Sequence, residues 1–102
     1  MSVPTVKTLL LPVLQITKDR SEHSVNEVRE LIKEQFKLTP DELSQIHPSS
    51  GINVFVNRIA WALAHLVMGK AIVLGEKGYR ITERGLKILM ENPSELTIRQ
   101  LH

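Results

Sequence analysis

The 102 residues suffice for one domain and leave little room for a second. With 42% apolar and 24% charged residues the chain can build one ordinary core; it has no Cys, which excludes disulfides and thiolate metal sites, and no apolar run near the ~20 residues that span a bilayer. The net charge of +2 is unevenly spread: residues 1–52 and the last twelve each carry −1, whereas residues 53–90 carry +4 through Arg58, Lys70, Lys77, Arg80, Arg84 and Lys87 against Glu76 and Glu83, so a nucleic-acid face is sought there.

Val6, Leu9, Leu10, Val13 and Leu14 recur at helical spacing and predict a first helix over about 4–18. Pro12 should break or kink it. No basic segment followed by a long apolar stretch stands at the N-terminus, so no signal peptide is read and a soluble, cytoplasmic protein is expected. Asp19-Arg20-Ser21 is a turn and Glu22-His23-Ser24 a short extended stretch. Ser24, with Glu27 three positions on, forms a capping-box signature for a second helix over about 25–37. Val25, Val28, Leu31, Ile32 and Phe36 are its apolar stripe. Thr39-Pro40-Asp41-Glu42 opens a short helix, and His47-Pro48-Ser49-Ser50-Gly51 is loop chemistry.

A longer helix is predicted from about Gly51 or Ile52 to Met68. Phe55, Ile59, Ala62, Leu63 and Leu66 form its core face; Asn53, Asn57, Trp61, Ala64 and Met68 lie opposite, with Arg58 and His65 on a flank. Gly69 ends it in the usual manner of a glycine just past the last turn. The period then changes. Ala71-Ile72-Val73-Leu74 and Tyr79-Arg80-Ile81 are strands around a Gly75–Gly78 turn, a hairpin. Thr82 begins a last helix that Asn92-Pro93 stops. In the tail, Leu96, Ile98 and Leu101 suit a short strand or a docking segment.

Helix, short strand, helix, loop, helix, hairpin, helix is the order of a winged helix-turn-helix, mainly α with a small β-hairpin, in a single domain over 1–102. Such folds lay one helix in the DNA major groove and reach the backbone with the hairpin, or wing. Here the recognition helix is about 52–68 and the wing 75–80. Asn53 and Asn57 suit adenine, and Arg58 guanine or phosphate. Ser49 and Ser50, beside free N–H groups at a helix start, suit a phosphate, and Lys77 and Arg80 stand on the wing. Trp61, His65 and Met68 form a candidate interface, because an outward Trp packs on something: the first helix or the tail of its own chain, or another subunit or domain.

Other chemistry is weakly supported. His23, His47, His65 and His102 share no metal-ligand spacing with acids. No cofactor motif or nucleophile arrangement stands out, and Gly75-Glu76-Lys77-Gly78 lacks the pattern of a P-loop. The expectation is a non-catalytic module.

Four segments carry a family resemblance: Ser2-Val3-Pro4 with Leu11-Pro12-Val13-Leu14; Pro48-Ser49-Ser50-Gly51; Asn57-Arg58-Ile59-Ala60-Trp61-Ala62; and Tyr79-Arg80-Ile81-Thr82-Glu83-Arg84-Gly85. In that order they resemble the N-terminal domain of Mrr-type, modification-dependent restriction endonucleases. The resemblance implies a winged-helix module binding double-stranded DNA ahead of a nuclease domain in the full-length protein, with a role in recognising foreign or methylated DNA. Val67-Met68-Gly69-Lys70 departs from the Lys-rich helix end common among relatives. The nuclease signature, an Asp followed by Glu-x-Lys or Gln-x-Lys, is matched only in letters by Gln35-Phe36-Lys37 on an amphipathic helix. The alternative reading is a winged-helix protein-interaction or dimerisation module, with a homodimer as partner, or a small transcriptional regulator.

Overall fold

The computed structural model describes residues 3–101, and its elements follow the predicted order. Helix α1 (Val6–Ile16) starts at Thr5, whose side chain accepts from the Thr8 N–H. It runs through Pro12 unbroken. Leu9, Leu10, Val13 and Leu14 are fully buried on both sides of the proline, so packing outweighs the lost backbone bond. A 3-10 turn (Thr17–Asp19) leads to Arg20 in the left-handed region (φ 68).

Helix α2 (Val25–Gln35) is capped by Ser24, which accepts from the Glu27 N–H. The return half of the expected box is replaced: the Glu27 carboxylate pairs with the His23 ring. Val28 and Ile32 are buried, whereas Leu31, expected in the stripe, is exposed. Helix α3 (Pro40–Leu43) has the reciprocal box at Thr39 and Glu42.

Helix α4 (Val54–Met68) packs on α1 through Phe55, Ile59, Ala62, Leu63 and Leu66, the predicted core face. Gly69 follows it with φ −80, so it is not a left-handed cap; Lys70 takes that conformation (φ 61). Gly69 is needed for space instead. A Cβ there would lie 2.7 Å from the Leu101 Cβ.

Strands β1 (Ile72–Leu74) and β2 (Tyr79–Ile81) form the antiparallel hairpin, with Ile72 opposite Ile81. The extended stretch before α2 adds a third edge. The His23 N–H donates to the Tyr79 carbonyl (2.9 Å) and the Tyr79 N–H to the His23 carbonyl (2.8 Å). Helix α5 (Glu83–Met90) is capped by Thr82, which also donates to the Lys70 and Ala71 carbonyls. The tail docks as a four-residue helix, α6 (Ile98–Leu101), and not as a strand, with Leu96 and Leu101 in the core. This mainly helical chain with a two-stranded hairpin has the winged-helix arrangement.

Candidate nucleic-acid interface

The loop before α4 is tightly closed. The His47 N–H donates to the Ile52 carbonyl, and the Gly51 N–H to the His47 carbonyl (2.8 Å). Ser50 Oγ accepts from the Ile52 N–H (3.3 Å), and the Val54 N–H reaches the Gln45 carbonyl. Ser49 and Ser50 are exposed. The N–H groups expected to be free beside them are engaged within the loop at Ser50, Gly51, Ile52 and Val54.

Asn53 caps α4 rather than standing inside it. Its Oδ1 accepts from the Val56 N–H (3.0 Å) and its Nδ2 donates to the Leu43 carbonyl (2.7 Å), so one half of the amide caps α4 and the other ties the helix start to α3. Asn57, one turn on, has no side-chain hydrogen bond among the described residues and is half-buried. Arg58 turns toward the N-terminus: Nη1 donates to the Val3 carbonyl (2.6 Å) and to that of Pro4 (3.4 Å), tying down the segment whose Val3 side chain is buried. Its other nitrogens are not in those bonds.

Trp61 is 52% exposed and Met68 53%, and the Trp61 ring stacks obliquely on His65 at 5.9 Å between centroids. The outer face of α4 thus presents Trp61 and Met68 to solvent, with Ala64 and His65 partly covered beside them. With about half of its surface in solvent, Trp61 is not the fully buried side chain that one of the two alternatives read from the sequence expects.

Lys77 and Arg80 are exposed on the wing. They belong to a separate element from the α4 loop, and no hydrogen bond or ion pair among the described residues links the two groups. The wing is held by Gly78, whose φ of 152 suits glycine and whose Cβ would meet the His23 carbonyl at 2.3 Å. Of the basic residues in the middle segment, Arg84 is structural: Nε donates to the Gly69 carbonyl (2.8 Å) and Nη2 to that of Leu101 (2.9 Å).

Beside the wing, the nearly buried His23 faces two carboxylates. Nε2 meets Asp19 Oδ1 at 2.9 Å and Nδ1 meets Glu27 Oε1. Carboxylate oxygens only accept, so the surroundings fit the doubly protonated ring. Burial pushes the His23 pKa down, but the bonds to Asp19 and Glu27 outweigh it and the net direction is up. Asp19, bonded by His23 and by the Ser21 N–H and hydroxyl, is lowered to about 2. Asp19, His23 and Glu27 lie on a turn, an extended stretch and a helix, so no periodicity in the sequence marks this network. Each ring nitrogen has its own acceptor, and among the described residues no group of His, Asp and Glu converges as a metal site. No helix among them is long and apolar enough to cross a membrane.

Residues 7–91 match the family model of the Mrr N-terminal domain, most of the chain. No curated protein and no solved structure matches it.

Proposed function

Because the chain belongs to the Mrr N-terminal domain family, we propose that it is the non-catalytic, double-stranded-DNA-binding module of a modification-dependent restriction system, acting in the cytoplasm as a single domain attached to a nuclease domain in the full-length protein. The observation that carries this reading is the family match joined to a helix–hairpin pair of winged-helix form: α4 offers Asn57 with an uncommitted amide, and the wing offers Lys77 and Arg80. Asn57 reads a base edge in the major groove. Ser49, Ser50 and the nitrogens of Arg58 not bonded to Val3 and Pro4 meet phosphates, Lys77 and Arg80 meet the backbone, and Asn53 acts by fixing the start of the helix. A mobility shift with methylated and unmethylated duplexes of one sequence tests the reading. Binding of duplex that weakens with salt supports it, and no binding at low salt overturns it.

A second reading rests on the exposed Trp61 and Met68, with the half-buried His65 stacked beside the indole. This apolar face joins two copies as a homodimer, which places two recognition helices on paired half-sites. Sedimentation distinguishes it: a dimer that Trp61→Ala converts to monomer supports the reading, and a wild-type monomer at high concentration contradicts it.

A further inference from the structure

The turn after α1 carries a cation that motif reading leaves without a role. Arg20 lines a cleft of about 520 Å³ together with Arg80, Thr82 and Glu83. It also lines the adjoining cleft along α5, where Lys87 stands. Arg80, Arg20 and Lys87 thus succeed one another from the wing across the turn to α5, and all three are exposed. Among the described residues none of them forms an ion pair. Of the charged residues lining the two clefts, Arg20, Arg80, Arg84 and Lys87 stand against Glu83 alone, a sum of +3, and Glu83 forms an ion pair with none of them among the described residues.

The two arginines sit on rigidly joined elements. Asp19 accepts from the Ser21 N–H and hydroxyl and faces His23, which closes the turn around Arg20. His23 is in turn paired through both backbone groups to Tyr79, the neighbour of Arg80. Guanidinium groups carried on a backbone fixed in this way suit the oxygens of phosphodiesters. Resting on the DNA-binding reading above, we propose that Arg20 and Lys87 extend the wing's contact to the duplex backbone. Arg80, Arg20 and Lys87 then form one sequence-independent phosphate track over the turn and α5.

The test is the salt dependence of duplex binding by the whole chain, wild type against Arg20→Gln, Lys87→Gln and Glu83→Gln. Each lost phosphate contact lowers the slope of log K against log salt by about 0.9, which corresponds to a roughly eightfold weakening at 0.1 M salt. Arg20→Gln and Lys87→Gln should each show this on any duplex sequence, and Glu83→Gln should bind more tightly. Arg20→Gly guards against a folding artefact, because glycine accepts φ 68 without strain; it should bind as weakly as Arg20→Gln with undiminished thermal stability. Wild-type binding with unchanged slopes in both Arg20→Gln and Lys87→Gln overturns the track and leaves the DNA-binding reading standing. Absence of wild-type binding at 50 mM salt overturns that reading and the track with it.

Discussion

His23 joins three parts of the chain through different atoms: its ring pairs with Asp19 of the turn and Glu27 of α2, and its backbone with Tyr79 of the wing. Its raised pKa has a consequence for stability. A group whose pKa is higher folded than unfolded contributes fully below the unfolded value, here 6.5, and loses that contribution as pH rises through the folded value. Asp19 works in the opposite sense: its contribution is present above 3.8 and fades as pH falls toward about 2, and it is small because the carboxylate is half exposed. Thermal melts should therefore show the wild type losing stability between pH 6 and pH 9, while His23→Gln stays nearly flat over that range. Parallel curves for the two proteins would contradict the assignment. Asn57 and Arg58 separate in the same kind of experiment. Arg58→Ala removes a charged donor from the Val3 and Pro4 carbonyls and should cost about 1–2 kcal/mol of stability by denaturant unfolding. Asn57→Ala should leave stability within about 0.5 kcal/mol and weaken binding to a preferred duplex by about 1–3 kcal/mol.

The wing and the tail are held to the helices by close approaches of backbone. Gly78 lets the His23 stretch lie against the hairpin, and Gly85 lets α5 approach the backbone just before β1, where a Cβ would come within 2.2 Å of the Ala71 carbonyl. Gly78→Ala should therefore destabilise by about 2–3 kcal/mol, read as a lowered melting temperature, with the wing amides losing hydrogen-exchange protection first. Thr82, Arg84 and Gly85, read in the sequence as part of a resemblance, turn out to be joinery: a cap, a clamp on two carbonyls, and a gap for the Ala71 backbone. The apolar periods of α1 and α4 made those helices and the core face of α4 legible, because burial of one stripe leaves a 3.6-residue trace. The role of Gly69 was not legible. Its need for space arises from Leu101, more than thirty residues away, and local sequence carries no mark of such a contact. Likewise the amide of Asn53 looks available for a base in the sequence, and only the fold shows α3 beneath it, accepting its Nδ2–H through Leu43.

Across the whole molecule, charge is the property that bears on function, and the sequence located it only in part. The middle segment was legible as basic, and the match to the Mrr N-terminal domain over 7–91 bears out the family resemblance. Which of those cations are tied to carbonyls was not legible, since Arg58 and Arg84 look the same in a charge count as Lys77 and Arg80. The fold turns the first two onto carbonyls and leaves the latter two exposed on the wing. Arg20, from the near-neutral first half, joins them only through the pairing of the His23 stretch with β2. Duplex binding by the wild-type chain between 50 and 200 mM salt tests the central claim most directly. About five cationic backbone contacts, from Arg58, Lys77, Arg80, Arg20 and Lys87, predict binding at 50 mM that weakens on the order of several hundredfold by 200 mM. No binding at 50 mM, or an affinity indifferent to salt, would contradict it.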